Sequence, residues 1–482
     1  MTRHKPERFH IHTLKRTYNR KTDTFTYNIS YETAPATITE RTRTVAEAFG
    51  LGTDQTQRFT LYDNLNLHIR PTDSVLITGD SGSGKSALLN AIKTDLGATA
   101  QDTTNLNINT NTPIINTIGK NTTEALELLS KVGLNDAFLF LRTYQQLSDG
   151  QKHRYHIARL AESPAQFWIL DEFTSTLDRD TAKIVAYNLQ KLARNHSKAV
   201  IAATTHTDLL RDLAPNVHVH KRYGKEISVH YNPHAQAQSC SLTRQMHTQQ
   251  GTLADYKTLS QFHYRQAQCP PPRKIFTLKR KNETCGTIVY SYPSPTCFGR
   301  NKVWKGNLQQ LQQEISTISR VVVHPKYRSI GLGAKLVGET LAQAGTLCVE
   351  AVAVMARYNP FFEKAGMQRI AESKHSPHVT NALERLSDLG FDCALLAGVQ
   401  YCEKKIAEVG RKTVSAVLAE LSHRDAAVRR RLAGLHSVYP KHEEFMAKVA
   451  ELDAAGLALA LKRLSFIAQT KVYLFWRKEQ AG

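Results

Sequence analysis

No stretch of 18 or more apolar residues occurs in this 482-residue chain, and the opening Met1-Thr2-Arg3-His4-Lys5-Pro6 lacks the apolar segment of a secretion signal. A membrane-spanning helix therefore has no candidate, no membrane partner is expected, and the expected compartment is the cytoplasm. The seven cysteines, at positions 240, 269, 285, 297, 348, 393 and 402, are odd in number and include no C-x-x-C pair. Neither a disulfide framework nor a zinc site is signalled. Acidic residues are the scarce charge: 42 Asp+Glu stand against 63 Lys+Arg, a net charge of +21. Residues 221–330 alone hold 17 basic and 4 acidic side chains, hence +13. An excess concentrated in one stretch predicts a polyanion-facing surface, with nucleic acid (DNA or RNA) as the first candidate, because neutralising phosphates releases counterions. The alternative is an acidic protein partner or a merely soluble basic surface. Aromatics interleave with basic residues at His263-Tyr264-Arg265 and Lys302-Val303-Trp304-Lys305, a pattern suited to bases and phosphates.

What the chain does have begins at Gly79-Asp80-Ser81-Gly82-Ser83-Gly84-Lys85-Ser86, which fits G-x-x-x-x-G-K-[ST]. Glycines in such a loop let backbone N–H groups turn inward around phosphate oxygens, while Lys85 reaches the β/γ-phosphates of ATP and Ser86 ligates Mg²⁺. An apolar strand (Val75 to Thr78) precedes it and a helix starting at Ala87 follows, the context the motif requires. Further on, Leu147-Ser148-Asp149-Gly150-Gln151 stands ahead of a basic helical run (Lys152 to Leu160), and the strand Phe167-Trp168-Ile169-Leu170 ends in Asp171-Glu172.

Together these segments resemble the ABC ATPase family. The resemblance implies that Ser148, Gly150 and Gln151 face the γ-phosphate held by another copy, so that one signature per chain implies a homodimer. It also implies that Asp171 holds Mg²⁺ directly or through water and that Glu172 is the general base polarising the attacking water. Thr174 to Asp178 matches the family's D-loop, with Asp178 at the nucleotide, His206 matches the switch histidine, and Phe49 is the expected aromatic stacking on adenine. No glutamine stands at the Q-loop spacing: Gln101 is early, Gln145 and Gln146 abut the signature, and Pro113 to Thr117 occupies that place. The stretch from Lys85 to Ser148 is short for a transporter-type domain, so the helical subdomain is expected to be reduced.

A second chemical signal runs from Ser319 to Gly333 and ends in Arg328-Ser329-Ile330-Gly331-Leu332-Gly333, an R-x-x-G-x-G turn between a strand containing Val321, Val322 and Val323 and a helix starting at Ala334. It resembles the acyl-CoA loop of the GNAT acetyltransferase family, in which backbone N–H groups at a helix N-terminus bind the pyrophosphate of coenzyme A. Cys348 to Val354 reads as the next strand, and Asn359-Pro360-Phe361-Phe362 to Met367 resembles the family's later helix and turn, which adds Asn359 and Phe362 to the acyl-CoA contacts. Many members place a tyrosine acid where this chain has Phe362, so Tyr358, one helical turn earlier, is the expected general acid. Glu350 is the expected base, with Glu314 or His324 as alternates.

The expected fold class is α/β: an ABC-type P-loop NTPase domain followed by a GNAT-like α+β acyltransferase domain with a helical insertion near the C-terminus. Composition shifts place a β-rich lead-in at 1–45, the ATPase at 46–232, a linker and first GNAT helix at 233–272, the GNAT core at 273–370, the helical insertion at 371–470 and a returning final strand at 471–482. The expected function is ATP hydrolysis coupled to acyl transfer from acetyl-CoA or a related acyl-CoA, with a nucleic-acid base as acceptor. A protein or small-amine acetyltransferase is the rival, and an SMC-like DNA-binding or defence ATPase with a non-catalytic GNAT fold comes from a different class.

Overall fold

The computed structural model describes residues 9–33, 37–52, 58–263, 269–373, 377–422, 426–434 and 440–478. The chain divides into two compact units, Met1–Val289 with Arg320–Thr340, and Tyr290–Ser319 with Leu341–Gly482.

In the first unit, β1 (Phe9–Asn19), β2 (Thr24–Thr33) and β3 (Arg58–His68) form an antiparallel sheet in that order. Phe25, Tyr27 and Ile29 alternate along β2 and share one core cluster with Val75 and Ile77. The hairpin set apart above as a lead-in ending at residue 45 is thus built into the ATPase core, because its apolar face needs a cover and the P-loop strand's layer supplies it.

A second sheet is made of β4 (Ser74–Gly79), β5 (Ala100–Asp102), β6 (Phe167–Leu170), β7 (Ala199–Thr204), β8 (Val217–Lys221) and β9 (Ile227–Tyr231), in the order β5-β6-β7-β4-β8-β9. All neighbours are parallel except β8 and β9. Every residue of β4, β6 and β7 is buried, as expected of parallel strands covered on both faces. Successive residues serve opposite cores: Trp168 and Leu170 pack with Leu76 on one side, Phe167 and Ile169 with Val75 and Ile77 on the other. The glycine loop, Asp171-Glu172 and His206 all follow the carboxyl ends of these strands, where α/β sheets bind ligands.

The stretch read as a linker contains β10 (His247–Gln250), antiparallel to β11 (Pro272–Arg280), and a helix Leu253–Ser260 started by a capping box between Thr252 and Asp255. β12 (Glu283–Ser291) and the outer half of β13 (Ile315–Val323) continue this edge, and the helix Leu332–Thr340 follows.

In the second unit the inner half of β13 runs parallel to β14 (Cys348–Ala353), from Ile315↔Cys348 to Ile318↔Ala351. After β15 (Gln368–Glu372) come helices between Pro377 and Ile467, whose Leu386, Leu418 and Leu461 share a core of their own. The chain then returns as β16 (Val472–Arg477), which lies antiparallel between β14 and β15.

Candidate nucleotide and acyl-donor sites

Gly79 ends β4 at φ 148°, and a Cβ there would lie 1.9 Å from the carbonyl oxygen of Lys221. Only glycine fits, and the loop after it turns through Gly82 and Gly84, both at positive φ, into the helix Lys85–Leu96. Lys85 Nζ donates to the carbonyls of Gly79 (2.8 Å) and Asp80 (2.5 Å), and burial lowers its pKa. Ser86 Oγ donates to Asp171 Oδ1 at 3.1 Å, which brings the two expected Mg²⁺ ligands together across β4 and β6. A hydroxyl and a carboxylate beside a phosphate-binding loop are the hard oxygen donors that Mg²⁺ takes.

Glu172 is exposed at φ 46°, and Thr174 sits at φ 63°, two non-glycine residues in left-handed backbone. Such strain persists only where the surroundings fix it. Here buried Phe173 anchors the turn, its N–H donating to Ala203 at 2.7 Å. Asp178 caps the helix Arg179–Asn195 by accepting from Thr181 N–H. His206 is half-buried; burial and then the nearby Arg179 lower its pKa.

Ser148 caps the signature helix Asp149–Glu162, with Gln151 returning a bond to the Ser148 N–H at 3.0 Å. Gln151 is therefore spent on the cap. A Cβ on Gly150 would come 3.3 Å from Leu177, so the signature abuts the D-loop. Phe49 ends the helix Glu40–Phe49, none of whose residues is buried, and is itself 75% exposed. An aromatic not expected from the sequence, Tyr223, donates its hydroxyl to Ser81 of the glycine loop at 2.6 Å.

In the acyl-donor loop Gly331 lies at φ 86° with nothing within 4 Å of the position a Cβ would take, and the loop opens the helix Leu332–Thr340. Gly333 and Ala334 sit half-buried in its first turn, and Ile330 and Leu332 are buried. Val322 packs on Tyr256, Leu259 and Ile275, while Val321 and Val323 are half-buried. Arg328 is not free for a ligand: its guanidinium donates to Val323 O (3.1 Å), Phe262 O (3.2 Å) and Asp136 (3.3 Å). It holds the loop's shape instead. Ser329, at φ 74°, accepts from Asn188 Nδ2 at 2.6 Å.

In the second unit, Glu350 is overturned as a general base. Its carboxylate is 1% exposed and is gripped by Arg300 Nε (2.9 Å) and Nη2 (2.7 Å), Thr317 Oγ1 (2.8 Å) and Tyr473 OH (3.0 Å). Four charge-assisted or hydroxyl bonds leave no lone pair for a substrate proton. Of the alternates, Glu314 accepts from Trp304 Nε1 at 2.9 Å, and His324, its pKa lowered chiefly by burial, accepts at Nδ1 from Lys326 N–H. Tyr358 is half-buried and closes the turn Met355–Arg357, while its hydroxyl has no hydrogen bond among the described residues. Asn359 N–H donates to Met355 O, and Phe362 is buried against Phe361 with ring centroids 4.1 Å apart.

Residues 62–175 match the ABC transporter family model, and residues 242–367 match the model of the acetyltransferase (GNAT) family. The chain is an ABC ATPase domain fused to a GNAT domain. Relatives of this ABC–GNAT protein include a methionine import ATP-binding protein, MetN 1, of Shouchella clausii, 28% identical over 37% of this chain and 63% of its own length. MetN 2 of Rhodococcus jostii is 38% identical over 19% of this chain and 27% of its own. The ABC–GNAT protein thus spans less than two thirds of the length of these curated relatives. A solved post-hydrolysis dimer of an ATP-binding cassette bound to ADP and Pi is 20% identical, with a TM-score of 0.29, over 36% of this chain and 91% of that one.

Gln101, set aside above as early, lies on β5 in register with Trp168 of the strand that ends in Asp171. A three-residue strand is too short to announce itself in the residue pattern. The basic excess of the ABC–GNAT protein is partly spent in ion pairs within the chain. Arg222, Lys225, Lys279, Arg280, Arg300, Lys326 and Arg328 are ion-paired, and Lys221 is buried. Arg244, Lys257, Lys281, Lys302 and Lys305 remain exposed; Tyr264 and Arg265 lie outside the described residues. No helix among the described residues is long and apolar enough to cross a membrane.

Proposed function

We propose that the ABC–GNAT protein is a homodimeric ATPase that governs acyl transfer from acetyl-CoA to an amine of a nucleic-acid base. ATP is held by Gly79 to Ala87, with Tyr223 and Phe49 as the aromatics available to the nucleotide, Ser86 and Asp171 taking Mg²⁺, and Gln101 as the Q-loop residue. Glu172 orients the attacking water, His206 senses the γ-phosphate, and Ser148, Gly150 and Asp178 complete the partner's site. In the transfer step the amine nitrogen attacks the thioester carbonyl, the C–S bond breaks, and the proton given up by the amine reaches the departing thiolate through solvent. The observation that carries this reading is the open turn at Gly331 heading a helix, in the same compact unit as the glycine loop. Coupling has a physical use, since unstacking a base costs about a few kcal/mol that a nucleotide-driven clamp can supply.

The acceptor is tested by following free thiol released from acetyl-CoA with DNA, RNA, bulk protein or a small amine. Release that depends on nucleic acid supports the proposal. Release with protein or small amine alone transfers it to the rival acceptor. Silence with all four, while ATP is hydrolysed, leaves a GNAT fold that does not catalyse, the reading favoured by Phe362 in the tyrosine's place.

A further inference from the structure

The segment leading into Gly331 is gripped by elements of the ATPase domain. Lys326 Nζ lies 3.2 Å from Asp178 and 3.0 Å from Asp180, at the end of the D-loop and the start of its helix. Lower on that helix, Asn188 donates to Ser329. From the opposite side Gly133, at φ 88°, approaches so closely that a Cβ would stand 2.9 Å from Ser329 Oγ. The carbonyl of Gly133 accepts from Arg154 of the signature helix at 3.3 Å, and Asp136, just beyond, pairs with Arg328. Residues 326–329 are therefore clamped between the D-loop helix and a segment tied to the signature helix.

The two carboxylates on Lys326 are not equivalent. Asp180 is also held by Arg280 at 2.7 Å and is 22% exposed, whereas the Asp178 side chain is 58% exposed and, among the described residues, has only Lys326 as an ion-pair partner. Asp180 is shared with a second cation, whereas Asp178, which also caps its helix through Thr181 N–H, is not. Of the two, only Asp178 lies in the segment expected to face the nucleotide. An anionic donor arriving at the loop competes with these carboxylates for the same ammonium group.

We propose that Lys326 is a coupling residue, shared between Asp178 and the phosphates of the acyl donor, so that engagement of the D-loop by ATP frees it and tightens acetyl-CoA binding. By linkage acetyl-CoA tightens ATP binding by the same factor. The inference rests on the ATP and acyl-CoA assignments above and adds the connection between them.

The test is calorimetric titration of acetyl-CoA into the full-length Glu172→Gln protein, with and without ATP and Mg²⁺. ATP is expected to tighten acetyl-CoA within the usual range of about 5- to 150-fold. In Lys326→Met acetyl-CoA binds more weakly and the ATP effect disappears, with direct ATP titration of the same variant showing an intact nucleotide site. Asp180→Asn, which loosens the hold on Lys326, tightens acetyl-CoA without ATP and shrinks the ATP effect. An acetyl-CoA affinity that ATP leaves unchanged or weakens, or an undiminished ATP effect in Lys326→Met, overturns the proposal while leaving both sites standing. Failure to bind acetyl-CoA under every condition overturns the acyl-donor assignment itself, and the coupling with it.

Discussion

Replacing Glu350 by glutamine separates a structural carboxylate from a catalytic one. The side chains of Arg300 and Glu350 are 6% and 1% exposed, and both carboxylate oxygens are occupied by guanidinium nitrogens, with Thr317 and Tyr473 closing the shell. Glutamine keeps the shape but leaves the buried guanidinium without a counter-charge. Breaking one partner of such a pair costs about 3–5 kcal/mol. The second unit holds 30 residues of Tyr290–Ser319 and 142 of Leu341–Gly482. A domain of that size loses about 2–4 °C of melting temperature per kcal/mol, so the expected fall is about 6–20 °C. Tryptophan fluorescence reads it, since Trp304 and Trp476 belong to this unit and only Trp168 to the other. Acyl transfer measured well below the melt should persist, whereas loss of a general base costs about 10²–10⁴ in rate. An unchanged melting temperature together with a rate loss of that size would refute the structural role and restore Glu350 as the base.

Further outcomes follow from other sites. Gly79→Ala drives a methyl group into the Lys221 backbone, and ATP titration should show the nucleotide site lost; unchanged affinity would contradict the loop geometry. Glu172→Gln should slow ATP hydrolysis about 10²–10⁴-fold and accumulate an ATP-bound dimer in size-exclusion chromatography, and a monomer peak under ATP would argue against the proposed homodimer. His153, on the signature helix, has a buried Nε2 without a hydrogen-bond partner among the described residues, and burial pushes its pKa down to about 4 from 6.5. Below pH 6.5 the unfolded chain takes up a proton that the folded one refuses, so stability is full above that pH and falls as pH drops toward 4. The loss amounts to about 3 kcal/mol at 1.36 kcal/mol per unit. Urea unfolding as a function of pH should show this slope flattened in His153→Gln, and an identical slope would remove His153 as its source.

Much of this molecule is legible in its residues because phosphate chemistry dictates residue types at fixed spacing. The glycine loop, Asp171-Glu172 and the Arg328 to Gly333 turn announce their local strand and helix contexts. The strand Val472–Arg477 is visible as a β-prone run, and the need to complete a sheet foretells its return. What stays hidden is decided by contacts far apart in sequence. Glu350 reads as a strand-flank carboxylate until Arg300, 50 residues away, and Tyr473, 123 residues away, close on it. Asn188 and Ser329, 141 residues apart, give no hint of meeting. The polar strand His247–Gln250 lacks apolar alternation because it lies at a sheet edge, so it reads as linker. Left-handed backbone at Glu172, Thr174 and Ser329 is imposed by neighbouring packing and has no signature in residue type.

The most direct test of the whole account follows a radiolabelled acetyl group from acetyl-CoA into nucleic acid, with ATP present, in the wild-type protein and in Lys85→Ala. The expected result is label on nucleic acid that Lys85→Ala strongly reduces. Equal labelling by the two proteins, or label that never leaves acetyl-CoA while ATP is consumed, would contradict it.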